Sequence, residues 1–469
     1  MVTPAVVIAA PASGSGKTTI ATGLIGALRA SGDRVAPFKV GPDYIDPGYH
    51  GLAAGRVGRN LDPVLVGADR IGPLYRHGSA GCDIAVVEGV MGLFDGKIAD
   101  SAAGVDGAWG AAEGSTAQVA GLLGAPVVLV VDARGHSQSL AAVLHGFATF
   151  DRDVRIGGVI LNRVGSARHE QVLRQACEKV GVPVLGVVPR LAELAVPSRH
   201  LGLVTAVEHG GAATAAVAAM TELIARHVDL AAVRTLASSA VTAPAWDPVV
   251  EVGGRRDGAA ASGPVVAVAG GAAFTFGYAE HRELLEAAGA RVHVFDPATD
   301  ELPDGVSGLV LPGGFPEEHA AALAANSVLL TSVRQLARRG LPIHAECAGL
   351  LYLTAALDGH RMTRVIDVEA SFGSTLTLGY REAVALAPSV LFEAGDRVAG
   401  HEFHRTALGE RAVDGWDPAW GWRVGGVATR EGFVGGGVHA SYLHTHPAGH
   451  PASIRRFVAA AREFEIKNG

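Results

Sequence analysis

Cysteine is scarce in this chain: Cys82, Cys177 and Cys347 are the only three in 469 residues. A scattered, odd-numbered set excludes a disulfide framework and fits a reducing compartment. Positive charge is not in excess either. Lys and Arg number 39 against 46 Asp and Glu, and the formal net charge is -7. That balance, with no basic run, argues against a general nucleic-acid binder. Long apolar runs are missing, since none reaches the roughly 18 residues of a membrane span. The apolar start Ala5–Ala10 has no basic stretch before it and is read as a first buried strand, not a signal peptide. The expected setting is the cytoplasm, with neither membrane nor nucleic acid as partner. The oligomeric state stays open, a homodimer among the options.

What is abundant is glycine, 63 residues, within a composition that is 49% hydrophobic. This suits a compact α/β protein. The length calls for two domains. In the first half, apolar runs at 5–9, 35–40, 83–87, 126–131, 156–161 and 183–188 alternate with helical stretches that include 17–31, 137–148 and 167–180. Runs apolar on both faces predict buried parallel strands, hence a doubly wound sheet. The pattern dissolves over 228–263, where Ala, Ser, Pro and Gly dominate, and this is read as a linker. The expected domains are 1–227 and 264–469. The second α/β alternation places strands at 265–269, 291–295, 308–311 and 342–345, with further β-structure in 372–440.

The first chemical signal is Ser13-Gly14-Ser15-Gly16-Lys17-Thr18-Thr19, set between a strand and a helix. Backbone N–H groups of such a turn, and the positive helix end, receive phosphate. Lys17 would reach the terminal phosphates of ATP, and the Thr18 hydroxyl would ligate Mg²⁺. Pro11 stands where the strict motif has its first glycine. Downstream, Lys39, Asp43 and Asp46 follow the second strand, and Glu88 ends the next apolar run. Carboxylates at that sheet edge hold Mg²⁺ in phosphoryl-transfer enzymes. Asp95 lies just beyond, as a candidate site acid or a solvated loop acid. Asn162 ends another strand and reads as an adenine contact or a helix cap. Asp132 reads, on balance, as a cap.

The second signal is Ala345-Glu346-Cys347-Ala348-Gly349. A small residue two before Cys347 and a glycine two after it, between a strand and an apolar helix, permit a sharp turn that presents the thiol. The helix N-terminus is expected to lower the thiol pKa. Gly313 and Gly314 end an upstream strand, and their amides are candidates for an oxyanion hole. Two histidine clusters compete for the base, one at His401 and His404, the other at His439, His444 and His446.

These segments resemble the cobyrinic/hydrogenobyrinic acid a,c-diamide synthase family. The resemblance rests on residues 13–19, Phe38–Asp46 with Pro47-Gly48-Tyr49-His50, Arg59-Asn60-Leu61-Asp62, Glu88–Asp95, Gly314-Phe315-Pro316-Glu317, Cys347, Gly400–His404 and Ala440–His444, nearly the whole chain. It implies a dethiobiotin synthetase-like P-loop domain followed by a flavodoxin-like class I glutamine amidotransferase domain. It assigns Asp43, Ile45, Asp46, Glu88 and Asp95 to the substrate domain, Cys347 as nucleophile and His444 as base. Class I triads place a Glu two residues after that His; here the position is His446, so the resemblance supplies a Cys347–His444 dyad.

The implied reaction is ATP- and glutamine-dependent amidation of the a and c carboxylates of a corrinoid ring, hydrogenobyrinic or cobyrinic acid. Lys17, Lys39 and Mg²⁺, held by Thr18, Asp46 and Glu88, would offset phosphate charge. Ammonia freed at Cys347 would attack an acyl phosphate. Two rivals share parts of this pattern: an amidase acting on a related tetrapyrrole, and a partitioning-type P-loop ATPase, which has no use for the cysteine turn.

Overall fold

The computed structural model describes residues 2–98, 112–190, 198–199, 202–203, 205–254, 263–409 and 414–468. The chain separates into two compact units, Met1–Trp246 and Asp247–Gly469.

The first unit is built on a seven-stranded sheet of β1 (Ala5–Ala9), β2 (Val35–Val40), β3 (Arg59–Leu61), β4 (Ile84–Glu88), β5 (Val127–Asp132), β6 (Ile156–Val164) and β7 (Val184–Pro189). Their spatial order is β3-β2-β4-β1-β5-β6-β7. All neighbours run parallel. Every residue of β1, β2 and β4 is buried, which is why these runs carry apolar side chains on both faces. Strand order makes the carboxyl ends of β1, β2 and β4 neighbours, and ligands of open α/β sheets bind at that edge.

The expected strands are all present, with ends moved by a residue or a few. The short edge strand β3 was not foreseen: Arg-Asn-Leu is too brief and too polar to show a period. Helix α1 (Lys17–Ala30) starts directly after the phosphate turn. It packs closely on the helix Gly211–His227, where a Cβ on Gly23 would lie 2.5 Å from the Met220 carbonyl. Only glycine allows that approach.

Part of the stretch expected as linker is regular. Leu230–Leu236 is a helix, Ser238 bridges to Ala5, and the Trp246 amide donates to the Pro73 carbonyl at 3.0 Å. Residues 255–262, including Arg255 to Gly258 of the glycine-rich run, lie outside the described residues.

The second unit has a six-stranded sheet. Its order is Arg291–Phe295, Val265–Ala269, Val306–Leu311, Ile343–Glu346, Val438–Ser441 and Phe433–Gly435. Only the last strand is antiparallel to its neighbour. In chain order the five parallel strands run 2-1-3-4-5, the flavodoxin-like order. Its core gathers Leu309, Leu311, Leu330, Val333, Ile343, Leu350 and Tyr352, among others. A second, largely antiparallel sheet carries the long strands Glu369–Ala385 and Arg397–Leu408, as the glycine-rich 372–440 region led us to expect. The two-residue strand His444–Thr445 pairs with it, setting His401 opposite His444.

Candidate functional site

In the first unit the phosphate turn is held by left-handed glycines, Gly14 at φ 78° and Gly16 at φ 93°. The Asn162 amide donates to the Ser15 carbonyl at 2.9 Å, and a Cβ on Gly16 would collide with it. Asn162 therefore braces the turn from β6. The Lys17 ammonium donates to the Met91 carbonyl at 2.5 Å. Burial, then the neighbouring Lys39 charge, lowers the Lys17 pKa.

The expected acids converge here. The Thr18 hydroxyl lies 3.2 Å from Asp46 Oδ2 and 2.8 Å from Glu88 Oε1. Lys39 Nζ donates to the same two oxygens at 2.6 and 3.0 Å. Burial opposes its charge, but Asp46 and Glu88 outweigh burial and raise its pKa. Burial likewise opposes ionisation of Glu88, yet Lys39 and His50 hold its carboxyl well below the usual range. Asp46 is shifted upward, by burial and by the nearby Asp43 charge.

Asp43 itself accepts from the Ile45 and Asp46 amides at 2.9 and 3.0 Å, opening helix α2 (Asp46–Ala54). Asp95 Oδ2 accepts from the Gly92 amide at 2.8 Å, within the loop after β4. Asp132 is bound by guanidinium groups, at 2.7 Å from Arg134 and 2.5 Å from Arg163.

Among the described residues no group of three His, Cys, Asp or Glu side chains could hold a metal. The Thr18, Asp46 and Glu88 oxygens, however, form a hard donor set of one hydroxyl and two carboxylates. Mg²⁺ is held by one or two carboxylates plus substrate phosphates, so these residues fit it.

Sequence reasoning gave no role to His50, whose Nε2 lies 2.7 Å from Glu88 Oε2. The signal was available: His50 follows Asp46 by four residues, one turn of helix α2, so the two share a face.

In the second unit Cys347 sits at φ 47°, a left-handed conformation that non-glycine residues seldom adopt. It links the strand Ile343–Glu346 to the helix Ala348–Leu353. Its amide donates to the Ser441 carbonyl at 2.7 Å, and a Cβ on Gly349 would collide with the Leu311 carbonyl. The turn is thus fixed by both neighbouring strands. The backbone amides of Ala348 and Gly314 favour the ionised thiol. The expectation of a lowered thiol pKa is corrected. Burial, helped by the charges of Glu317 and Glu346, outweighs those amides and pushes Cys347 upward.

Of the two histidine clusters, His444 lies against the loop at Gly313. It is fully buried, and a Cβ on Gly313 would collide with its ring. His404 stacks on Tyr442 at 3.8 Å, and His439 Nδ1 pairs with the Ser389 hydroxyl at 3.1 Å. Glu346, given no role by sequence reasoning, lies 3.7 Å from His444 Nδ1. Glu431 was also passed over. It accepts from the Ser441 hydroxyl at 2.6 Å and the Tyr442 amide at 2.7 Å, and burial pushes its carboxyl up to about 7.

Residues 6–204 match the CobQ/CobB/MinD/ParA nucleotide binding domain, and 265–452 match the CobB/CobQ-like glutamine amidotransferase domain. A protein of Mycobacterium tuberculosis named hydrogenobyrinate a,c-diamide synthase is 62% identical over 458 residues, covering 97% of this chain and 98% of its own. One of the same name from Streptomyces coelicolor is 54% identical, covering 98% of both chains. A Gloeobacter violaceus protein named cobyrinate a,c-diamide synthase is 41% identical, covering 97% of this chain and 96% of its own.

Proposed function

Because the chain belongs to the hydrogenobyrinate and cobyrinate a,c-diamide synthase family, we propose that it uses ATP and glutamine to amidate the a and c carboxylates of hydrogenobyrinic acid. The observation that carries this reading is the pairing, in one chain, of the Lys17–Thr18–Glu88 phosphate cluster with the Cys347 turn. Higher identity to the relatives named for hydrogenobyrinate, 62% and 54% against 41%, favours that ring over cobyrinate. The expected division gives the synthetase to residues 1–227 and the glutaminase to 264–469. The scattered cysteines suit a cytoplasmic enzyme.

At the glutaminase, the Cys347 thiol gives its proton to His444 and its sulfur bonds to the side-chain carbonyl carbon of glutamine. The Gly313 and Gly314 amides face the oxyanion. The C–N bond breaks, and His444 returns the proton to the departing ammonia. Water then splits the thioester, leaving glutamate.

At the synthetase, a ring carboxylate takes the γ-phosphoryl of ATP, ADP leaves, and ammonia displaces phosphate from the acyl carbon. Lys17 and Lys39 offset the phosphate charge, and the amides of residues 13–19, with Asn162 bracing their turn, cradle the nucleotide. Thr18, Asp46 and Glu88 would hold Mg²⁺, which when bound neutralises charge on the transferring phosphoryl group. Asp43, Ile45 and Asp95 border the carboxylate to be activated. The cycle runs twice, once per side chain.

Incubation with hydrogenobyrinic or cobyrinic acid, ATP and glutamine, followed by mass spectrometry, tests the reading. The expected product carries two new amides and forms preferentially from the metal-free ring. If neither ring is amidated, the assignment fails.

A further inference from the structure

The position two residues after His444, where a class I triad has its acid, is His446. That side chain is otherwise engaged. Its Nδ1 accepts from the Ala448 amide at 3.2 Å, capping the turn Pro447–Gly449, and its ring lies 4.1 Å from that of Tyr278. The acid comes instead from the other end of the site. Glu346, the residue before the nucleophile, turns Oε2 toward His444 Nδ1 at 3.7 Å. Both side chains are buried. The distance is within ion-pair range and longer than a formed hydrogen bond, a separation that catalytic contacts close when substrate arrives.

The other carboxylate oxygen is anchored. Oε1 accepts from the Thr445 amide at 3.2 Å and the Thr445 hydroxyl at 2.9 Å, and it lies 3.2 Å from His344 Nε2. Three contacts on Oε1 leave Oε2 for His444. Thr445 is the residue after His444, so the base and its acid are clamped by one dipeptide. A proton held on Nδ1 by Glu346 makes Nε2 the basic nitrogen of the ring.

We infer that Glu346 is a positioning residue that completes a Cys347–His444–Glu346 triad, orienting the imidazole from the strand that carries the nucleophile. It replaces the acid usually supplied from beyond the histidine. The inference rests on the glutaminase reading above. Glu346 would do for His444 what the aspartate of a serine-protease triad does: select the tautomer and stabilise the imidazolium formed during proton transfer.

The test is Glu346→Gln in the full chain, assayed with glutamine and separately with ammonia. The glutamine-driven kcat is expected to fall on the order of 100-fold or more, as when triad acids become amides. The KM for glutamine and the ammonia-driven rate are expected to stay near the parent values. Glu346→Asp should recover part of kcat, because it restores the charge. Thr445→Val, which removes one anchor of Oε1, should lower kcat more mildly. A glutamine-driven kcat in Glu346→Gln within threefold of the parent overturns the inference. So does an equal loss with both nitrogen sources in Glu346→Gln and Glu346→Asp, which would mark a purely structural role. Failure of the parent reading looks different: no glutamine hydrolysis by the parent protein at all.

Discussion

Thr18, in the first turn of α1, meets Glu88 at the end of β4, the hydroxyl donating to Oε1 at 2.8 Å across 70 residues of sequence. Lys39 shares that oxygen at 3.0 Å. Replacing Glu88 removes one partner of a buried lysine, a change that typically costs about 3–5 kcal/mol. Glu88→Gln is expected to unfold at clearly lower temperature or denaturant concentration than the parent. An unchanged denaturation midpoint would count against the pair as a structural element.

Asp46→Asn should impair amidation equally with glutamine and with ammonia, by on the order of 100-fold, if the carboxylate serves phosphoryl transfer. Full glutamine-driven synthesis by this variant would remove Asp46 from the proposed chemistry.

Cys347→Ala separates the two reactions. Glutamine-dependent turnover should vanish while ammonia-dependent amidation persists. Parallel rate measurements with the two nitrogen sources decide it, and loss of both contradicts the division of labour.

Gly313→Ala puts a methyl group where the His444 ring lies. Displacing a catalytic group by about 1 Å can cost about 100-fold. Glutamine hydrolysis should drop by that order with the ammonia-driven rate preserved. A normal glutaminase rate would show that the ring can move without consequence.

Glu431 offers a pH test. Burial pushes its carboxyl up to about 7 from an ordinary 4.5. A raised carboxyl binds its proton more tightly folded than unfolded, so stability falls as pH climbs between those two values. The stability gap between parent and Glu431→Gln should move in favour of the variant from pH 5 to pH 8, by up to about 3 kcal/mol. Denaturant midpoints at both pH values measure it; a constant gap would mean the carboxyl titrates normally.

Much of this architecture was legible because its signals are contiguous. The phosphate turn spans seven consecutive residues, and the strands that frame it are uninterrupted apolar runs. Lys39, Asp46 and Glu88 were visible singly, as polar residues within or just after such runs, although only the strand order β2-β4-β1 brings them together. Glu346 escaped because its partner Thr445 lies 99 residues away and the pairing depends on register. Its strand parity with His344 was the one local clue, since residues two apart share a face. The upward shift of the Cys347 thiol was illegible for another reason. A helix N-terminus can be read from sequence, but the depth of burial that opposes it cannot.

The register between Ile343–Glu346 and Val438–Ser441 sets Glu346 beside Ser441, and the Cys347 amide is held by the Ser441 carbonyl. Cys347 and His444, the proposed nucleophile and base, therefore come together only once the segment from Val438 onward has paired. During synthesis the ribosome releases the thiol turn long before Val438 and His444 emerge, and folding proceeds from the N-terminal side. On the proposed assignments, glutamine hydrolysis is the last capability to mature. A nascent or truncated chain would carry its thiol without the means to spend glutamine unproductively.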